Sequence, residues 1–218
     1  MKIDMHLHSI YSGDSNATPK DILKKAESVG LDGLAFMDHN TLGGYRKIKD
    51  TDTPLIVVPG IEVSTEEGHL MAIGVQEEIG KQATIAEAID KIEEQGGIAA
   101  APHPYRYWSG MGEENLFANK WTAIEGLNGR SWYSKNLKAR KAAEKLELPI
   151  IGGSDAHRLK TVGKAYTVFD PVDSWEDILY QIKKGNVDAA GEDRTFVQTF
   201  FYIRRAIFGY VGRGFKKI

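Results

Sequence analysis

The stretch Ile3-Asp4-Met5-His6-Leu7-His8-Ser9 decides how this chain is read. Side chains two apart on a strand share a face. An extended run therefore sets His6 and His8 side by side, with Asp4 behind them. Two imidazoles at that spacing can fill two positions on one divalent ion, and a nearby carboxylate can orient a ring through its other nitrogen. A metal site needs more ligands than two, and the rest of the chain supplies candidates.

Working outward, Thr18-Pro19 reads as an N-cap and first helical residue, and Ile22, Leu23, Ala26 and Val29 recur at helical spacing up to Gly30. Leu34-Ala35-Phe36-Met37 is a short buried strand ending in Asp38-His39. Leu55-Ile56-Val57-Val58 leads through Pro59-Gly60 to Ile61-Glu62, and Gly68 to Gly74 forms a further strand, joined to it by a hairpin. Thr84 and Glu87 make a capping box for a helix that stops at Gly96-Gly97. Ile98-Ala99-Ala100-Ala101 runs into Pro102-His103-Pro104, and Thr122-Ala123-Ile124-Glu125 precedes Asn128-Gly129-Arg130. A helix from Ser134 to Leu146 leads to Leu148-Pro149-Ile150-Ile151 and then Gly152-Gly153-Ser154-Asp155-Ala156-His157. A strand near Tyr166–Phe169 and a helix from Ser174 to Lys184 follow. Short apolar strands alternating with amphipathic helices predict βα units around a parallel sheet. The polar residues of interest sit just past the strands, the face on which a (β/α) barrel builds its sites.

Bulk properties narrow the function classes. The chain has 218 residues, 42% of them hydrophobic and 27% charged, enough for one substantial domain. A net charge of −2 provides no global field for nucleic acid. The absence of cysteine excludes disulfides and thiolate metal sites and fits a reducing, cytoplasmic setting. No signal peptide and no integral membrane segment is expected.

All six histidines (His6, His8, His39, His69, His103 and His157) fall in or at the end of an expected strand, accompanied by Asp14, Asp38, Glu62 and Asp155. One histidine at a strand end is ordinarily a hydrogen-bonded structural group. Six at equivalent positions are hard to obtain from packing, because imidazoles and carboxylates crowded at one mouth repel and desolvate each other unless cations lie between them. The cluster points to more than one metal ion.

These motifs in this order, from DxHxHS through Asp-His, Gly-Ile-Glu, His-Leu and Pro-His-Pro to Gly-Ser-Asp-Ala-His, resemble the PHP (polymerase and histidinol phosphatase) family over residues 1–190. The resemblance implies a distorted (β/α)7 TIM-like barrel and a site for two or three divalent ions (Zn, Mn or Fe). It further implies hydrolysis of a small phosphomonoester, or of a nucleotide or nucleic-acid phosphoester, by metal-bound hydroxide. Carried over position by position, one ion takes His6, His8, Glu62 and Asp155. A second shares Glu62 and adds His69 and His103. A third takes Asp14, His39 and His157. Glu62, Asp155 and His157 are the implied catalytic groups. Asp4 and Asp38 are left as supporting acids.

Arg106 and Arg130 each follow a strand end and are the candidate phosphate clamps, since a guanidinium grips two phosphate oxygens in one plane. Tyr105, Tyr107, Trp108 and Trp132 flank them. They could stack on a base or sugar, although packing at the rim is the favoured role. From Thr195 to Ile218 there is no acid, and the 191–218 extension carries Arg204, Arg205, Arg213, Lys216 and Lys217 beside apolar residues at helical spacing. A helix of that kind can touch an anionic membrane surface or pack on the barrel. Two competing readings stay open: an amidohydrolase-type enzyme, which also begins with His-x-His but commonly uses a bridging lysine, and a catalytically silent metal-bound scaffold. Neither substrate identity nor oligomeric state is written in motifs of this kind.

Overall fold

The computed structural model describes residues 1–192, so the basic extension lies, from residue 193 on, outside the described residues. The strands form two five-stranded sheets rather than one closed ring. The first has the order β10 (Val187–Gly191), β9 (Ala165–Phe169), β1 (Lys2–Leu7), β2 (Gly33–Phe36), β3 (Ile56–Val58). The second runs β4 (Gly60–Thr65), β5 (Gly68–Ile73), β6 (Ile98–Ala101), β7 (Ala123–Asn128), β8 (Ile150–Gly153).

The mixed α/β class agrees with expectation; of the distorted (β/α)7 TIM-like barrel, a closed ring is not seen among the described residues. Parallel pairing joins β1 with β2, β2 with β3, β6 with β7 and β7 with β8. The remaining pairs are antiparallel, including the β4–β5 hairpin and both partners of β9. At the seams no continuous ladder joins the sheets among the described residues, the backbone pairing being reduced to isolated bridges, Leu7 with Ala156 and His39 with Glu62. The two-residue link between β4 and β5 permits only an antiparallel return, so no helix separates those strands.

Helices α1 (Pro19–Ser28), α3 (Ile85–Glu94), α5 (Tyr133–Leu146) and α6 (Trp175–Lys184) match the expected ones. Thr18 caps α1, and the Thr84–Glu87 box closes reciprocally on α3. Two short helices, α2 (Gly43–Ile48) and α4 (Gly112–Ala118), have no periodic signature: each opens on glycine, and neither has a side-chain cap. The core beneath the sheets includes Ile3, Met5, Met37, Val58, Met71 and Ile151, all buried. Packing is tight where β8 meets β1. A Cβ at Gly153 would lie 2.4 Å from the Cβ of His6, so only glycine lets the strands approach this closely. Among the described residues, no helix is long and apolar enough to cross a membrane.

Candidate active site

Strand β1 raises His6, with His8 just past its end beside it, and the loops after β2, β6 and β8 bring His39, His103 and His157 to the same mouth. His69 arrives from the hairpin, whose register sets Ser64 opposite His69 and Glu62 opposite Met71. The imidazoles form a circuit: centroid separations are 5.1 Å for His6–His8, 4.7 Å for His8–His39, 5.1 Å for His39–His69, 6.0 Å for His69–His103 and 5.6 Å for His103–His6. His157 stacks outside it, 4.1 Å from His8.

Glu62 is the hub of this circuit. Its Oε2 lies 3.2 Å from His8 Nε2, 3.4 Å from His6 Nε2 and 3.3 Å from His39 Nδ1. Its Oε1 lies 3.0 Å from His69 Nδ1 and 2.9 Å from His103 Nε2. Asp155 faces the same pair of rings from the other side, with Oδ1 3.5 Å from His8 Nε2 and 4.0 Å from His6 Nε2. Asp14 closes the outer edge, its Oδ2 at 2.7 Å from His157 Nε2 and 3.7 Å from His39 Nε2. All nine expected ligand positions therefore converge. Their donor atoms fall into overlapping groups spanning no more than 4.8 Å: His6–His8–Asp155, His6–Glu62–His103, His39–Glu62–His69 and His8–Asp14–His39–His157. The grouping differs slightly from the one the motifs imply, because His8 also joins the Asp14 cluster and His39 the Glu62–His69 pair.

Acids outside the circuit hold the rings in place. Asp4, placed behind the histidines on β1, does not orient either ring. Its carboxylate accepts from the main-chain N–H groups of Ser154 (2.8 Å) and Gly163 (2.9 Å), tying β8 to β1, and burial pushes it up to about 6. Asp38 likewise accepts from Ser9 and Gly44 and fastens loops. The acid that orients His6 is Glu125 of β7, whose Oε1 takes His6 Nδ1 at 2.9 Å. Its Oε2 accepts the His103 main-chain N–H at 2.8 Å and Asn128 Nδ2 at 2.9 Å. His103 sits at φ 27°, a strained value for a residue with a Cβ, and Glu125 helps hold it there. Ser12 does for His8 what Glu125 does for His6, through a 2.8 Å contact to Nδ1. Sequence reasoning passed over both. For Glu125 a signal existed: an acid within Ala-Ile-Glu-Gly-Leu-Asn, a strand buried on both faces.

Both predicted phosphate clamps reach the mouth, where they meet on Asp155. Arg106 Nη2 donates to Oδ2 at 2.5 Å and to Asn128 Oδ1 at 2.7 Å, while Arg130 Nη1 donates to Oδ1 at 3.0 Å. Arg130 also lies 2.8 Å from His157 Nδ1. The aromatics divide. Tyr105 is buried in the core with Lys138 over its ring, whereas Tyr107 and Trp108 are 84% and 91% exposed, so rim packing does not describe them.

Do these groups fit divalent cations? Burial alone would push Glu62 up, but the His69, His6 and His39 rings outweigh it and hold the carboxyl well below its usual range. Asp155 is opposed by burial in the same way and is held low by Arg106 and Arg130. Burial pulls His103 down to about 4, with Arg106 adding to it, and burial and then His157 hold His8 low. Buried carboxylates thus stay ionised beside His103 and His8, which favour their neutral form. Against burial, Glu125, Asp155 and Glu62 hold His6 well above its usual range and Glu62 and Asp14 hold His39 up, so that protons stand there where cations would. His6 Nε2 and His8 Nε2 face each other at 3.1 Å while each ring's Nδ1 is engaged elsewhere. Asp14 Oδ1 and His39 Nδ1 are buried with no hydrogen-bond partner. Lone pairs converging from nitrogen and oxygen donors, with buried atoms left unsatisfied, are what cations between them would correct. The residues fit.

Comparisons with known proteins point the same way. A family model described as "PHP domain" matches residues 4–111, and a second, "PHP-associated", matches 134–187. An uncharacterized protein of Methanocaldococcus jannaschii is 34% identical over 177 residues, covering 78% of this chain and 70% of that protein. The phosphoribosyl 1,2-cyclic phosphate 1,2-diphosphodiesterase of Eggerthella lenta is 37% identical over 82 residues, 34% of this chain and 31% of the enzyme. A two-domain protein from Bacteroides vulgatus, described as containing a predicted PHP-like metal-dependent phosphoesterase, superposes with a TM-score of 0.69. It does so at 20% identity over 88% of this chain and 65% of that one.

Proposed function

Because the chain belongs to the PHP family, we propose that it is a metal-dependent phosphoesterase acting on a phosphomonoester or on a nucleotide or nucleic-acid phosphoester. The observation that carries this reading is the hub itself, one buried carboxylate with five imidazole nitrogens within 3.4 Å of its two oxygens. His6, His8 and Asp155 would hold one ion, with Glu62 shared between it and a second on His69 and His103. Asp14, His39 and His157 would hold a third. Bound Zn, Mn or Fe supplies positive charge against the developing phosphoryl oxyanion and acidifies water near neutral pH.

The chain's own groups do the rest. Glu125 and Ser12 hold the His6 and His8 rings with Nε2 inward. Arg106 and Arg130, partly exposed at the mouth and both paired with Asp155, would bring guanidinium charge to the phosphate oxygens and so fix the ester for in-line attack. His157, 2.7 Å from Asp14 through Nε2, closes the outer edge of the site with the group that would hold the third ion. An amidohydrolase reading has less support: the shared position is Glu62, and Lys164 pairs with Glu192 away from the mouth.

The experiment is direct. Metal-stripped protein is reloaded singly with Mn, Zn or Fe(II), and phosphate release is followed across a panel of mono- and diesters. Metal content is measured on chelator-free material. Metal-dependent release is expected from at least one ester class; no bound transition metal and no activity on reloading would defeat the proposal.

A further inference from the structure

Each arginine at the mouth is followed by exposed aromatic side chains. After Arg106 come Tyr107 and Trp108, 84% and 91% exposed; after Arg130 and Ser131 come Trp132 and Tyr133, 46% and 62% exposed. The two loops converge, since Arg106 and Arg130 grip the two oxygens of one carboxylate, Asp155. Residues this large and apolar gain free energy when covered, so leaving them in water on two adjoining loops beside a site calls for an occupant.

The first loop is not slack. Gly110 N–H donates to Arg106 O at 3.2 Å, Gly112 N–H to Pro104 O at 3.0 Å, and His69 N–H to Ser109 O at 3.1 Å. A Cβ at Gly110 would lie 2.5 Å from Pro104 O and 2.6 Å from Arg106 O, so the turn is folded tightly against itself. It therefore displays Tyr107 and Trp108 in a set arrangement, their rings edge to face at 5.5 Å. The second loop runs directly into α5, where Lys138 pairs with Glu113 and Arg140 donates to Gly126 O, and Lys135, Lys141 and Lys145 lie exposed.

We propose that Tyr107 and Trp108, with Trp132 on the neighbouring loop, form a stacking platform for the bases of a single nucleic-acid strand. The terminal phosphoester of that strand would be held between Arg106 and Arg130. The proposal rests on the phosphoesterase reading and names its substrate class. Three features argue for this occupant over a protein. Aromatic faces beside cations suit bases threaded on a phosphate backbone. Aromatics on two loops serve more than one base. Lys135, Lys141 and Lys145 of α5 continue from the second loop, where further phosphates would run.

The test compares two short oligomers of equal length and charge, an oligothymidylate and its abasic counterpart. Each carries a slowly hydrolysed terminal thiophosphate and a dye at the other end, in both polarities, and anisotropy is read on metal-loaded protein. Wild type should bind the base-bearing strand about 5- to 150-fold more tightly per stacked base. Trp108→Ala should remove most of that preference and Trp108→Phe should keep it. Equal affinity for the two oligomers overturns the proposal, as does a preference untouched in both Trp108→Ala and Trp132→Ala; a protein partner then becomes the occupant. Phosphate release from p-nitrophenyl phosphate is measured in the same preparation. Base-dependent binding without turnover of any ester overturns the phosphoesterase reading and leaves the platform standing. Turnover without base-dependent binding does the reverse.

Discussion

Replacing Glu125 by Gln tests whether an acid outside the donor circuit decides which nitrogen of His6 faces inward. Glu125 Oε1 takes His6 Nδ1 at 2.9 Å, and Oε2 takes the His103 N–H at 2.8 Å and Asn128 Nδ2 at 2.9 Å. Gln keeps the shape but offers one acceptor oxygen and one NH2. The main-chain N–H of His103 cannot accept, and Asn128 cannot turn over, because its Oδ1 already receives Arg106 Nη2 at 2.7 Å and Arg130 N–H at 3.0 Å. The Gln oxygen must therefore stay on their side, leaving its NH2 against His6 Nδ1. The neutral ring that a cation requires then carries its proton on Nε2, where it points at His8 Nε2, 3.1 Å away, and no lone pair is left for the cation. Restoring the ligating tautomer forfeits a hydrogen bond of the charged class, about 1.5–3 kcal/mol. The metal dissociation constant should then rise about 10- to 150-fold, in line with losses when a supporting acid is removed. In metal-free protein burial opposes protonation of His6, but Glu125, Asp155 and Glu62 hold it well above its usual range. The amide withdraws that support too, so stability should fall by about 1.5–3 kcal/mol, the worth of a charged hydrogen bond. Chelator-competition titrations with Mn and Zn and a circular-dichroism melt of stripped protein read the two quantities. An unchanged dissociation constant with unchanged stability would refute the reasoning.

Further perturbations probe other parts of the molecule. Arg130→Ala should raise KM for the phosphoester while metal content stays at the wild-type level, as steady-state kinetics and elemental analysis on one preparation would show. Saturating metal added to stripped protein should stabilise it by about 2.7 kcal/mol at a hundred times Kd, a rise of roughly 5–10 °C in Tm for a chain of this size; a flat melting curve would count against a cation site. Gly153→Ala drives a methyl into His6 on β1, and overpacking of this kind costs about 1–3 kcal/mol, measurable by urea titration. Acid should weaken the metal-free fold. Glu62 and Asp155 are held below their ordinary range, so their stabilisation is present above about pH 4 and is lost as pH falls through their folded values. Thermal melts from neutral to acid pH would track that decline.

How far the sequence carried depended on whether a residue's role followed from its place on a strand. His6 and His8 share a face by the alternation of any strand, and His39, His103 and His157 follow short apolar runs whose ends are easily read. Their convergence was therefore legible. Ring closure was not, because a strand's neighbours depend on how its connections return, and the turn at Glu66-Glu67 forces the β4–β5 hairpin without altering the apolar pattern on either side. Glu125 escaped for another reason. Its partners, His6 and His103, lie 119 and 22 residues away, and pairings that long leave no periodic trace. Asp4, by contrast, was legible as a supporting acid, but its partners were not: its carboxylate takes the main-chain donors of Ser154 and Gly163, 150 and 159 residues away.

The break in the ring also explains the hub. Glu62 stands on the first strand of the second sheet, and His39, at the edge of the first, bridges to it through the backbone. Asn40 completes the join, accepting Ser64 N–H at 2.8 Å on its side-chain oxygen while its main-chain N–H donates to Glu62 O at 3.0 Å. Glu62 thus takes His6 and His8 from one sheet and His69 and His103 from the other. A cation shared across Glu62 would bind the two sheets where their ladders stop, since removing it would leave a buried carboxylate facing lone pairs from both sides. On this reasoning metal loading should slow amide hydrogen exchange at Met37–Asn40 and Ile61–Ser64, the two sides of the seam, more than within β7 and α5. Uniform protection across the chain would mean that the cation acts on global stability alone and that the seam is held by its backbone bridges.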